Sequence, residues 1–252
     1  RYVCIMNQEG NILLHKNADV CDQTLLKFIQ PYLPNIVISV ECMFTWYWIA
    51  DFCNKQKIPF VLGHALYMKA IHGSKTKNDK IDSRKIAVLL RGGMIPMAYV
   101  YPQEMRATRD LLRRRMHFMR KRSELLAHIQ NTRNQYNLPS FEKTISRKSN
   151  RGNVINHFDD PAVQKSMELN LALIDQYDGI LRKTENYILN HVKAHNPNDF
   201  YLLRTIPGVG EILALVMLYE IHNIKRFEKV QNFTSYSRLI KPQKESGGKL
   251  KG

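Results

Sequence analysis

Ile36-Val37-Ile38-Ser39-Val40-Glu41 is the stretch on which the fold of the N-terminal part turns. Four of its first five residues are β-branched and apolar, over a strand's length, and it ends on an acid. Such a run suits a strand buried on both faces, as in a parallel sheet. Beyond it, Trp46–Asn54 returns to helical period, and Pro59-Phe60-Val61-Leu62-Gly63 is a second short buried run. Strand, helix, strand in that order predicts a right-handed parallel crossover. Upstream, Tyr2–Met6 and Asn11–His15 are β-rich runs joined by Asn7-Gln8-Glu9-Gly10, a hairpin signal. Thr24–Gln30 has Leu25, Leu26, Phe28 and Ile29 on one helical face and is stopped by Pro31. A further helix is expected over Asp79–Leu90, before Gly92-Gly93. Residues 1–101 therefore read as one α/β region.

The middle of the chain changes character. From Gln103 to Asn137 there is no Gly or Pro, enough for a helix roughly 50 Å long. Met105, Leu112, Met119 and Leu126 recur every seventh residue, with Leu111, Phe118 and Leu125 beside them. A second long helix is expected over Ala162–Ala194, where Met167, Leu171, Ile174, Leu181, Ile188 and Val192 form a seam that Asp178 and Glu185 interrupt. The pair predicts an antiparallel coiled-coil hairpin over 102–196, with polar, basic Pro139–Asp160 as the loop between.

The chain has 252 residues, 38 Lys+Arg against 22 Asp+Glu, a net charge of +16, and 44% hydrophobic residues. That apolar content excludes a disordered basic tail. No stretch approaches the roughly 18 apolar residues of a membrane span, and a cytoplasmic protein without membrane contact is expected. Cys4, Cys21, Cys42 and Cys53 show no CxxC spacing, which argues against a zinc cluster or a disulfide scaffold. The positive surplus points to a polyanion, with nucleic acid first. Between Gln103 and Arg151 stand 13 Lys+Arg and four acids, a local 13 − 4 = +9. Arg113, Arg114, Arg115, Arg120, Lys121 and Arg122 are its densest part. They read as a phosphate-binding surface, or else as a solvated helix face.

Residues 197–252 read as a third, small helical region. Leu202-Leu203-Arg204-Thr205-Ile206-Pro207-Gly208-Val209-Gly210 runs into the apolar helix Glu211–Ile221. This is the pattern of a helix-hairpin-helix, in which Gly208 and Gly210 let backbone approach a phosphate and the second helix offers its free N–H groups. An ordinary tight turn between packed helices has the same pattern.

Three acids stand out by position. Glu41 ends the buried strand, where open parallel sheets place their ligands. Asp79 and Asp82, at i, i+3, share one side of a first helical turn. Carboxylates converging from separate elements suit a hard divalent ion. Acids in a first turn are also commonplace as dipole partners, so spacing alone leaves both readings open. His191 and His195 lack further ligands nearby and read as solvent-facing. Trp46 and Trp48, beside Phe44 and Tyr47, read as core or interface packing rather than base-stacking platforms.

Taken in order, Val40-Glu41, Lys75-Thr76-Lys77-Asn78-Asp79-Lys80-Ile81-Asp82-Ser83 and Ile206-Pro207-Gly208-Val209-Gly210 resemble the DEDD transposases of insertion sequences, the relatives of Piv invertase. Arg226-Phe227, Phe233–Leu239, Pro242 and Ser246-Gly247-Gly248 extend the resemblance over essentially the whole chain. It implies an α/β plus α fold: a RuvC-like (RNase H-like) domain, a long-helix hairpin, and a C-terminal transposase domain. It implies that Glu41, Asp79 and Asp82 bind Mg²⁺ as the second, third and fourth acids of the set. The first acid is expected before Tyr2, so the chain is expected to be cut at its start and again soon after Ser246. Ser246 is implied as the nucleophile that links covalently to DNA, with Ser235 and Ser237 as fallbacks. Donor and target DNA, a noncoding bridge RNA and further copies of the chain are the implied partners, in a prokaryotic cytosol. A RuvC-like nuclease that hydrolyses branched DNA and a non-catalytic nucleic-acid-binding remnant stay open beside this reading.

Overall fold

The computed structural model describes residues 2–19, 21–71, 78–240, 244–246 and 249–251. The chain divides into two compact units, Arg1–Arg106 and Ala107–Gly252.

In the first unit, β1 (Tyr2–Met6) and β2 (Ile12–Asn17) form the antiparallel hairpin that the sequence predicts, with Tyr2 opposite Asn17. Its turn closes where Asn7 Oδ1 accepts from the Asn11 N–H at 2.7 Å, and Gly10 supplies a φ of +94°. After α1 (Asp22–Ile29) comes the parallel crossover: β3 (Ile38–Glu41), α2 (Trp46–Gln56) and β4 (Phe60–Gly63). Ile38 lies opposite Phe60, and Glu41 opposite Gly63. The intervening helix is what two parallel neighbours require. It buries Trp46, Ala50 and Cys53 at 3-4 spacing, together with Phe52.

β3 begins two residues later than its apolar run and is half-buried along its length, not sealed on both faces. Among the described residues it pairs with β4 in a two-stranded ladder, and the β1–β2 ladder is separate. The remaining helices are α3 (Ala65–Ile71) and α4 (Asp79–Arg91), the latter packed against β1, β2 and β3. Ile5, Ile29, Phe52, Cys53 and Ile58 form one core of the unit, and Trp46, Ala50, Leu62 and Tyr101 another. Burial pushes the Cys53 thiol up to about 12, which makes it an inert core residue.

The second unit is helical. α5 (Gln103–Gln135) leads into it, and α6 (Pro161–His191) runs back along it. On α6 the buried residues are Met167, Ile174, Leu181 and Ile188, every seventh position. The two acids that interrupt this seam have partners: Arg115 donates to Glu185 at 2.5 Å and Arg122 to Asp178 at 2.5 Å. Seven residues separate the arginines and seven separate the acids in the opposite direction, so the ion pairs fix an antiparallel register.

The connection between these helices differs from the expected polar loop. Ile145, Val154 and Phe158 are fully buried against Ile129, Met167 and Ile174. Short 3₁₀ turns at Lys148–Asn150 and Ile155–His157 shape it, and Asp160 caps α6 by accepting from the Ala162 and Val163 N–H groups. Three isolated apolar residues without a period leave no helix or strand signal, so the segment's core role is invisible in the sequence pattern.

Beyond α6 lie α7 (Pro197–Arg204), α8 (Glu211–Ile221), α9 (Val230–Tyr236) and a short antiparallel pair, β5 (Lys244–Ser246) and β6 (Lys249–Lys251). No helix among the described residues is long and apolar enough to cross a membrane.

Candidate active site and nucleic-acid surface

Glu41 is the last residue of β3, half-buried, at the C-terminal end of the parallel ladder. The next N–H, that of Cys42, donates to the Gly63 carbonyl at 2.8 Å, so the strand end is held. Asp79 and Asp82 occupy the first turn of α4. Asn78 caps that turn, its Oδ1 accepting from the Lys80 N–H at 2.9 Å. Two carboxylates at this end also match the helix dipole.

His15, which the sequence reading passes over, fixes the same turn from β2. Its Nε2 lies 2.9 Å from the Lys80 carbonyl and 3.1 Å from Ser83 Oγ. A carbonyl can only accept, so this nitrogen carries the ring proton. Ser83 Oγ donates to the same carbonyl at 3.0 Å. At the far end of α4, Arg91 Nη1 donates to the Gln8 carbonyl at 3.2 Å. The helix that carries both aspartates is thus tied to the hairpin at each end. A lone histidine in a strand has no sequence signature for such a role.

Glu41, Asp79 and Asp82 offer only oxygen donors, the chemistry that suits a hard divalent cation. Among the described residues, however, no three His, Cys, Asp or Glu side chains lie close enough to share one ion. The acids come from neighbouring elements of one unit without closing into a ligand set. The Lys75-Thr76-Lys77 part of the motif lies outside the described residues. Ser246 ends β5, where its backbone pairs with Lys249; its side chain, with Pro242, Gly247 and Gly248, lies outside them too. Ser235 is in α9 and Ser237 follows it.

The basic cluster divides. Arg115 and Arg122 are taken up by Glu185 and Asp178, and Arg122 also donates to the Ser146 carbonyl at 2.6 Å. Arg113 and Arg109 both hold Glu220, at 2.5 Å and 2.9 Å. Burial alone would raise the Glu220 carboxyl, yet Arg113 and Arg109 keep it below its ordinary value. Lys121 makes an exposed pair with Glu124. Arg114, over the Phe118 ring, and Arg120 face solvent.

Gly208 has a φ of +85°, a conformation that favours glycine, and open space surrounds both it and Gly210. Gly210 precedes α8 and lines an open groove of about 450 Å³ with Arg115, Glu185 and Glu211. In that groove the arginine is neutralised and Glu211 adds negative charge, so its walls do not by themselves attract a phosphate.

An acid at a sheet end, two more on an adjoining helix turn, and a strongly basic helical unit are the equipment of an enzyme that acts on nucleic-acid strands. Residues 1–138 match the family model of the IS110-type DEDD transposases, described as "Transposase", and residues 201–252 match "Transposase IS116/IS110/IS902 family". The first match alone covers more than half of the chain, which belongs to this family of insertion-sequence transposases. No curated protein matches it. The chain is therefore a DNA transposase, an enzyme with DNA as substrate, built on an RNase H-like DEDD domain; such enzymes are typically dependent on a divalent metal.

Proposed function

We propose that this transposase cuts and rejoins DNA strands at Glu41, Asp79 and Asp82, with Ser246 as the nucleophile. The observation that carries the reading is the placement of the three acids. Glu41 closes β3, and Asp79 and Asp82 open α4, the helix packed across β1 and β3. The carboxylates would hold Mg²⁺, which when bound stabilises charge developing on a phosphate. His15 and Asn78 keep the first turn of α4 in place while substrate enters.

Ser246 Oγ would form a bond to phosphorus as the strand's own P–O bond breaks, the serine proton ending on the departing hydroxyl. Attack by another strand's hydroxyl reverses the step and frees the serine. The phosphodiester energy is conserved, so rejoining needs no nucleotide hydrolysis. We infer that a noncoding RNA directs the choice of DNA, that several copies of the chain assemble on it, and that this takes place in the prokaryotic cytosol. The functional division we adopt is 1–101, 102–196 and 197–252, with the helical hairpin as a coiled coil and 202–221 as a helix-hairpin-helix.

The test uses full-length protein, Mg²⁺ and donor DNA. Asp82→Asn, close in volume but uncharged, should abolish cleavage without changing the melting temperature. Ser246→Ala should abolish a protein–DNA adduct that survives denaturation. Cleavage retained by Asp82→Asn removes that acid from the site. Cleavage without any adduct in the parent protein favours hydrolysis and overturns the serine.

A further inference from the structure

Among the described residues, Phe44 is the most exposed large apolar side chain, at 99%. Scattered single apolar residues on a surface are normal. Phe44, however, is neither scattered nor loosely held. It sits in the four-residue connection Cys42–Thr45 between Glu41 and α2, and both ends of that connection are clamped. On the strand side, Cys42 N–H donates to Gly63 and Met43 N–H to Glu41, at 2.8 and 2.7 Å. On the helix side Trp46 is buried, with the Arg106 guanidinium 4.7 Å from its ring centre. Arg106 in turn donates to Asp51 at 2.7 Å and to the Tyr101 carbonyl at 2.8 Å. The phenyl ring is presented outward by a framework that is itself fixed.

Parallel pairing brings other apolar groups to the same end of the ladder. Glu41 lies opposite Gly63, and Gly63 bridges to Met97. Met43, Leu66, Tyr67 and Met97 are all exposed there, and Tyr67 stacks on His64 with ring centres 4.5 Å apart. Apolar groups gathered beside an acid mark a contact surface. Cys42, Met43, Phe44 and Thr45 include no charge, and so suit the π-face of a base better than a phosphate.

We propose that Phe44 stacks on an unpaired base of the DNA strand, next to the phosphate that faces Glu41. Three residues span at most about 11 Å, which keeps the ring within reach of the nucleotides flanking that phosphate. DNA is the occupant because it is this family's substrate and its bases, once unstacked, offer apolar faces for the exposed ring to cover. The proposal rests on the reading of Glu41 as a site acid.

The test measures binding of the 252-residue chain to a labelled single-stranded oligonucleotide and to its fully paired duplex, without divalent metal. Phe44→Ala should weaken single-strand binding by on the order of tenfold or more and leave duplex binding within about twofold. Phe44→Tyr should restore the affinity, and Phe44→Leu should not, which separates stacking from plain burial. Unchanged single-strand affinity in Phe44→Ala, full rescue by Phe44→Leu, or no single-strand binding by the parent each overturns the proposal. So does a change in the sedimentation of the DNA-free chain on Phe44→Ala, which would make a second copy the occupant. Glu41→Gln, scored for cleavage in full-length protein, tests the acid separately, because the metal-free binding comparison does not depend on cleavage.

Discussion

Arg151→Met should lower the melting temperature of the second unit by about 6–12 °C. Arg151 is 6% exposed, in the segment that joins α5 to α6. Its guanidinium pairs with Asp175 and, at 2.8 Å, with Asp178 Oδ2. It also donates to the Ser146 carbonyl at 2.8 Å and to Ile145 at 3.0 Å. Methionine keeps much of the stem's packing and removes every one of these donors. Breaking a buried pair from one side costs about 3–5 kcal/mol, because the partners stay behind. Here both carboxylates keep a second cation, Asp178 the Arg122 guanidinium and Asp175 the Lys148 ammonium at 3.1 Å, so the low end, about 3 kcal/mol, applies. At about 2–4 °C per kcal/mol for a unit of this size, the stated shift follows. Thermal melting followed by far-ultraviolet circular dichroism measures it. Arg151 also stands in the basic stretch of the sequence, so DNA binding supplies a second readout. Below the melting transition the salt dependence of binding should not change. A shift under about 2 °C together with a shallower salt slope would refute the reasoning, since the side chain would then face phosphate and not the protein.

Binding of the chain to duplex DNA should weaken steeply between about 50 and 200 mM salt, and replacing the exposed Arg114, Arg120 and Arg147 by Ala should reduce the log–log slope by about 2–3. Arg115→Ala with Arg122→Ala should instead lower the melting temperature and leave the slope nearly unchanged; titrations at four salt concentrations separate the two outcomes. For Glu220, whose carboxyl is held below its ordinary 4.5, the ion-pair stabilisation is present above that value and is lost as pH falls through the depressed one. Melting curves of the parent and of Glu220→Gln should therefore converge on acidification, and parallel curves from pH 6 to 3 would count against the pairing.

Elements with a strong local period were legible without the structure. The β1–β2 hairpin, the crossover through α2, and both long helices fall within a few residues of where the pattern predicts them. β3 is half-buried where its apolar run suggests burial on both faces, because a nearly continuous apolar run marks a strand but not how many neighbours cover it. Side chains whose role depends on pairing at a distance left no trace. His15 meets α4 across 65 residues, and Arg151 is distinguished from its basic neighbours only by where the chain folds back. Phe44 carries no signal of its own: the packing reading falls on Trp46 and Trp48 beside it, and Trp46 is buried while Phe44 is exposed. The candidate acids were legible as positions on elements, but ligand convergence is a matter of side-chain placement that spacing does not encode.

Asp178 and Glu185 explain more than a break in a seam. Among the described residues, eight of the 13 basic residues between Gln103 and Arg151 have a carboxylate partner: Arg106, Arg109, Arg113, Arg115, Lys121, Arg122, Lys148 and Arg151. Those carboxylates belong to Asp51, Glu124, Asp175, Asp178, Glu185 and Glu220, and only Glu124 lies inside the same stretch. A window of sequence therefore records a surplus that is largely answered in space. Pairs between half-buried side chains are screened weakly by salt, and they hold register more than they attract a ligand. Of the other five basic residues, Arg133 is half-buried beside the Phe141 ring and donates to Asn134, while Arg114 and Arg120 on α5 and Lys143 and Arg147 on the connection at its end are exposed. The chain's overall +16 still draws DNA from a distance. Within the densest run it is therefore Arg114 and Arg120, and not the ion-paired Arg113, Arg115 and Arg122, whose charge is left open to a polyanion.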